Sequence, residues 1–172
     1  MKYNPQIHHR RSIRLHKYDY SQAGAYFITI CCRNKESHFG TIQNQIMTLN
    51  QMGQIAYNEW IKTSELRSHI ELDTFIIMPN HIHGIIIINN NAKRNLSNNT
   101  SFDNCQSNTI GAIIRGYKSS VSKQIKMLNN IENLWQRNYY EHIIRDEQSY
   151  QTISEYIINN PIRWKDDKFF FQ

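Results

Sequence analysis

Two histidines one residue apart, in the run Met78-Pro79-Asn80-His81-Ile82-His83-Gly84, are the first side chains in this sequence whose type and spacing suggest chemistry. In an extended strand alternate side chains share a face, so His81 and His83 point one way and Ile82 the other. Two imidazoles on one face can hold one metal ion. They can equally be structural histidines tied by hydrogen bonds, and the pair alone does not decide. A hard divalent ion needs oxygen donors as well. In Tyr156-Ile157-Ile158-Asn159-Asn160 the first and last residues stand four apart. On a helix that spacing sets the Tyr156 phenol one turn from the Asn160 carboxamide. Two imidazole nitrogens, one amide oxygen and open positions suit Mg2+ or Mn2+ polarising a phosphate. No further thiolate or carboxylate stands beside the pair in the sequence to argue for zinc instead.

Ten tyrosines compete for the role of nucleophile. Tyr156 is singled out because an oxygen donor follows it by one turn and a helix stop, Pro161, lies just beyond. Tyr117 belongs to a basic amphipathic helix, and Tyr139 and Tyr140 to a strand, where packing or base stacking is the commoner task. The plain alternative for Tyr156 is a helix tyrosine packed on a sheet. His142 and Lys118 are candidates to assist its deprotonation.

These residues need a scaffold to bring them together. The β-branched and aromatic run Ala25 to Cys32 predicts a strand, Phe39 to Asn50 a hairpin turning at Gln43-Asn44, and Ile70 to Met78 and Ile82 to Ile88 two antiparallel strands about Pro79-Asn80. Helical spacing of apolar residues runs from an Asn50 cap to about Leu66, again over residues 109 to 127, and over Ser149 to Asn159. Tyr139 to Ile144 reads as a further strand. The pattern predicts an α+β fold, an antiparallel sheet with helices packed mainly on one face, as a single domain over residues 1–172. Residues 1 to 20 read as a basic arm and residues 89 to 108 as a flexible Asn/Ser-rich loop. For the two imidazoles to meet Asn160, the His81 strand must be central, with the Tyr156 helix packed across its edge.

A net charge of +6 and a pI near 9.3 bias the partners towards polyanions. Arg10, Arg11 and Arg14 cluster near the N-terminus, while Lys118, Arg137 and Arg145 are spread along the second half among tyrosines. Cations interleaved with aromatics are what a single-stranded nucleic acid requires, although a solvated basic face is the ordinary alternative. Three cysteines, two of them adjacent, form no paired framework. With no apolar run of spanning length, they point to a cytoplasmic protein that does not enter the membrane.

The stretches YFITICC, MPNHIHGIIII, YKSSVSKQI, WQRNYYEHIIRDEQSY and YIINNPIRW, in this order and spanning most of residues 3 to 165, resemble the HUH-type single-tyrosine transposases of bacterial insertion sequences, and most closely the REP-associated tyrosine transposases. The resemblance implies a ferredoxin-like, RRM-like sheet, with His81 and His83 as the HUH pair, Tyr156 as nucleophile and Asn160 as third metal ligand. Many relatives have Gln at that last position. It further implies metal-dependent cleavage and rejoining of single-stranded or hairpin DNA through a 5′-phosphotyrosine. Arg10, Arg11, Arg14, Lys118, Arg137 and Arg145 are then the candidate DNA contacts. Related transposases use two subunits, so a homodimer is the assembly to test, and the sequence leaves monomer and dimer open. Two other readings compete: a non-catalytic module that binds single-stranded nucleic acid on a basic, aromatic sheet, and a zinc hydrolase using water as nucleophile.

If unpaired bases stack on tyrosine and tryptophan faces, each for roughly 1–3 kcal/mol, a single strand or hairpin loop should bind more tightly than perfect duplex. The logarithm of affinity should fall with the logarithm of salt by about 0.7 per neutralised phosphate. Fluorescence anisotropy over a salt series measures both, and a preference for duplex would count against a single-strand binder.

Overall fold

Strand-forming residues dominate the segments that pair at the centre of the molecule. The computed structural model describes residues 18–89 and 109–170. The strands are β1 (Gly24–Cys31), β2 (Gly40–Gln43), β3 (Ile46–Leu49), β4 (Ile70–Ile77), β5 (His81–Ile88) and β6 (Tyr140–Ile144), and the helices α1 (Gln51–Glu65), α2 (Ile110–Asn129) and α3 (Glu147–Ile158). Four strands form an antiparallel sheet in the order β4-β5-β1-β6, while β2 and β3 form a separate hairpin. The two central strands, β5 and β1, are covered on both faces. For that reason Ile85 to Ile88 form an unbroken apolar run where a half-exposed strand would alternate with polar residues.

Alternation along the strands divides the interior in two. Tyr26, Ile28, Ile30, Ile82 and Ile86 point to one face and pack with Trp60 of α1 and with Ile113, Ile114, Tyr117 and Val121 of α2. Ile85 and Ile144 point to the other and meet Ile157 of α3, with Tyr150, Ile153 and Phe27 alongside. The architecture is thus α+β, with two helices on one face and α3 alone on the opposite one. The helix carrying Tyr156 does not cross the edge of β5. It lies over the face, because Ile153 and Ile157 have apolar partners on Ile76 and Ile85 that α1 and α2 leave uncovered.

Local chemistry sets the ends of the elements. Asn50 caps α1 by accepting from Gly53 N at 2.9 Å, and Thr109 caps α2 by accepting from Ala112 N at 3.2 Å. Helix α3 begins two residues before the predicted Ser149, since the Asp146 carboxylate accepts from Ser149 N at 2.8 Å. Helix α2 runs past residue 127 to Asn129, where Asn130 turns left-handed at φ 56°. The β2–β3 turn falls on Asn44-Gln45, one residue later than expected. Both have positive φ, 51° and 64°, as a two-residue hairpin turn of matching twist demands.

Of the predicted basic arm, only residues 18–20 are described, so Arg10, Arg11 and Arg14 lie outside the described residues, as does the Asn/Ser-rich loop beyond Asn89. Among the described residues no helix is long and apolar enough to cross a membrane.

Gly84 ties β5 to α1. A Cβ at this position would lie 2.6 Å from Trp60 Cζ2 and 3.0 Å from Phe75 Cβ, both parts of a rigid core. Gly84→Ala should therefore cost about 1–3 kcal/mol, the usual cost of overpacking. A lower urea midpoint with an unchanged m-value is the expected result, and equal midpoints would show that Trp60 can move aside.

Candidate active site

Because His81, His83 and Ile85 alternate with Ile82, Gly84 and Ile86, both imidazoles project from the sheet face opposite α1 and α2. They are 0 % and 1 % exposed. Each ring is held through Nδ1. His83 Nδ1 lies 2.8 Å from Oγ1 of Thr29, its register partner on β1. His81 Nδ1 lies 2.8 Å from Asn80 Oδ1. The Asn80 amide group donates to the Lys35 carbonyl at 2.9 Å and the Phe169 carbonyl at 2.8 Å, so its oxygen is the atom that faces His81. His81 must then carry its proton on Nδ1, which leaves a lone pair on Nε2. That Nε2 is buried and has no hydrogen-bond partner among the described residues.

Asn160 reaches the same place by a route the sequence did not suggest. Helix α3 ends at Ile158, with Asn159 as its C-cap, so Asn160 is not on the helix with Tyr156 but in the turn that follows. Its N–H bonds Ile157 O at 3.3 Å, which curls the chain back and keeps the side chain on the site side. The carboxamide is 1 % exposed. Its Nδ2 donates to Asp167 Oδ2 at 2.8 Å, while its Oδ1 is buried with no partner among the described residues. The Tyr156 hydroxyl lies 3.2 Å from His83 Nε2 and donates to the same Asp167 Oδ2 at 3.1 Å.

Asp167 is the residue that sequence reasoning missed. It follows a short 3-10 turn, Trp164–Asp166, that brings the end of the described chain back across the histidines. Nitrogen and oxygen ligand atoms from His81, His83 and Asp167 all lie within 4.8 Å of one another. The Asp166-Asp167 pair in an aromatic stretch was the available signal, but nothing in its spacing to either motif marks it. Aromatic rings wall the site: Phe169 sits 4.6 Å from His81, Trp164 5.9 Å from His81, and Phe27 5.3 Å from His83, between ring centroids.

Burial decides the protonation states. It pushes the His81 imidazole down to about 4, against the opposing pull of the Asp167 carboxylate and the neighbouring Asn160 carboxamide. Burial also holds His83 well below the usual histidine range, with the charges of His81 and Lys168 acting in the same sense. Both rings are therefore neutral at pH 7, as a metal-ligating imidazole must be. Burial first, and the Asp167 carboxylate second, pushes the Tyr156 phenol up to about 12, so its hydroxyl carries a proton.

Buried lone pairs without donors are costly, and two of them, His81 Nε2 and Asn160 Oδ1, share this site beside His83. A cation is the natural complement. Two neutral imidazole nitrogens and a carboxamide oxygen fit a divalent ion, and an adjoining carboxylate balances its charge.

The candidate DNA contacts of the second half of the chain make no hydrogen bond with the histidines, Tyr156 or Asn160 among the described residues. Lys118 is drawn inward, where Nζ donates to Gln136 O at 2.5 Å and burial lowers its pKa. Arg137 is exposed, and Arg145 lines a separate cleft along β6 with Tyr20, His142 and Ser149. Lys168 is a cation beside the site: its Nζ lies 4.8 Å from the Phe169 ring centroid and its charge bears on both histidines.

The chain is 22% identical to a solved REP-associated tyrosine transposase bound to a REP hairpin, with a TM-score of 0.56 and coverage of 91% of this chain and 77% of that one. The chain has the REP-associated tyrosine transposase fold. An Escherichia coli REP-associated tyrosine transposase is 24% identical over 144 residues, covering 84% of this chain and 70% of that protein. An uncharacterised protein of Haemophilus influenzae is 47% identical over 175 residues, 98% of this chain and 97% of that protein. At that likeness the two chains belong to one family. No protein-family profile matches the chain.

A site with this donor set should bind Mn2+ and be stabilised by it. At a hundred times its Kd the ion should raise the unfolding free energy by about 2.7 kcal/mol. His81→Ala, which deletes the imidazole with the unpaired Nε2, should lose most of that gain in paired denaturant titrations with and without Mn2+. An equal gain in the variant would place the ion elsewhere.

Proposed function

We propose that this protein is a metal-dependent single-tyrosine nuclease and strand transferase acting on single-stranded or hairpin DNA, and that it serves DNA transposition. The observation that carries the reading is the meeting of a tyrosine hydroxyl, 3.2 Å from His83 Nε2, with two buried, unpaired ligand atoms at His81 and Asn160. The likeness in fold to a transposase solved with a REP hairpin supports the choice of substrate.

Tyr156 is the nucleophile in this reading. Its Oη attacks a backbone phosphorus, a new phosphorus–Oη bond forms and the bond to the 3′ oxygen breaks. The phenol loses its proton and the departing 3′ oxygen gains one, leaving a 5′-phosphotyrosine and a free 3′-OH. One phosphodiester replaces another of similar energy, so a second 3′-OH can reverse the step and join new ends without ATP. A divalent ion such as Mg2+ or Mn2+, held by His81, His83 and Asn160, would supply positive charge to the phosphoryl oxygens. Thr29 and Asn80 fix the two imidazoles through Nδ1, so that both present Nε2. Phe27, Trp164 and Phe169 exclude water from the histidines, which strengthens every charge interaction there. Lys168 supplies a cation near the incoming backbone, and the exposed face of Tyr140 on β6 is available for a base to stack.

Tyr156→Phe removes a single hydroxyl and should abolish the covalent protein–DNA adduct seen on a denaturing gel, while affinity for the same oligonucleotide changes less than about threefold. Equal adduct yield from the variant would reject Tyr156. Binding by the wild type with no adduct at any metal concentration would favour a non-catalytic module.

A further inference from the structure

The proposed metal site has a carboxylate in it that the three-ligand description does not use. Asp167 follows the 3-10 turn Trp164–Asp166, and each of its oxygens is already engaged by donors. Oδ1 accepts from Phe169 N at 2.7 Å, and Oδ2 accepts from both Asn160 Nδ2, at 2.8 Å, and the Tyr156 hydroxyl, at 3.1 Å. By contrast, His81 Nε2 and Asn160 Oδ1, buried in the same site, have no partner among the described residues. The unpaired acceptors are therefore on His81 and Asn160, while both oxygens of Asp167, whose carboxylate lies close to the histidine nitrogens, already accept hydrogen bonds.

A carboxamide can present either end, and the two ends differ in sign. With Nδ2 forward, Asn160 would aim a partial positive charge at the His81 lone pair and repel any ion. The short side chain starts from the turn after the last helical residue, and the backbone bond to Ile157 O sets its place but not which end of the carboxamide leads. Something must hold the NH2 group back. Asp167 Oδ2 is the acceptor that does so, and the same oxygen holds the hydroxyl of Tyr156.

We propose, on the basis of that transferase reading, that Asp167 is a positioning residue: it fixes the Asn160 carboxamide with Oδ1 towards the metal and sets the Tyr156 hydroxyl beside it, without itself ligating the ion. One oxygen thereby couples the third ligand to the nucleophile, and the C-terminal turn becomes part of the active site. The partners of metal ligands commonly change affinity by 10–100-fold when removed.

The test is a double-mutant cycle on the full chain, read as Mn2+ affinity by calorimetry. Asp167→Ala should weaken Mn2+ tenfold or more in the wild-type background and have almost no further effect in Asn160→Ala, because it acts through that residue. An unchanged affinity in Asp167→Ala overturns the assignment. So does the same factor in both backgrounds, which is what an independent ligand or a general loosening of the fold would give. Circular dichroism checks that Asp167→Ala is folded. If it is not, Asp167→Asn takes its place in the cycle, since its one amide oxygen can serve Phe169 N or the Asn160 amide but not both. A wild type that takes up no Mn2+ overturns this proposal and the transferase reading together. The expected cycle, in a protein that forms no DNA adduct, keeps the role of Asp167 and overturns only the transferase.

Discussion

The period-two alternation of a central strand is the constraint on which the rest of this structure depends. β5 lies between β4 and β1, buried on both faces, and no residue in it can be moved without shifting its neighbours to the wrong side. Ile82, Gly84 and Ile86 must face α1 and α2, where Trp60 lies against the space left by the missing Cβ of Gly84. His81 and His83 are then forced to the other face. Two neutral imidazoles there are tolerable only because each is hydrogen-bonded through Nδ1, one to Thr29 and one to Asn80. The apolar core on one side of the sheet thus dictates the polar site on the other.

The polar side is organised by what it lacks as much as by its contacts. Native interiors pair nearly all buried polar atoms, and this protein does so for the Asn80 amide, the Thr29 hydroxyl, the Tyr156 hydroxyl and the Asp167 carboxylate. His81 Nε2 and Asn160 Oδ1 have no such partner among the described residues, and these two acceptors share one site. Two unpaired acceptors in a dry pocket are complementary to a cation rather than to a further protein hydrogen. Burial acts in the same direction by keeping both histidines neutral at pH 7.

Helix α3 and the turn after it show how a site can be assembled from weak local signals. Ile153 and Ile157 dock the helix on Ile85 and Ile76, and this docking puts Tyr156 over His83. Past the helix end, a backbone bond from Asn160 to Ile157 and a short 3-10 turn reverse the chain so that Asp167 and Phe169 arrive above the same histidines. The final residues described are held there by backbone carbonyls, with Lys35 Nζ on Lys168 O at 2.7 Å and Asn80 on Phe169 O. The N-terminal half of the sheet and the C-terminal turn therefore close on one site from opposite ends of the chain.

The local sequence was sufficient for the α+β pattern, for most strand and helix spans, and for placing His81 and His83 on a common face, because periodicity and capping are short-range properties. The spacing of Tyr156 and Asn160 suggests one helix face, but Asn160 stands in the turn after the helix. Tertiary structure alone decided that α3 takes the face opposite α1 and α2, that Asp167 joins the site, that Lys118 bonds the Gln136 carbonyl, and that Lys168 lies near both histidines. Each of these depends on contacts between residues distant in the chain, which no pattern along the sequence encodes. A helix pattern shows which stripe is apolar but not which side of a sheet will receive it, and a lone acidic residue after a turn has no period at all.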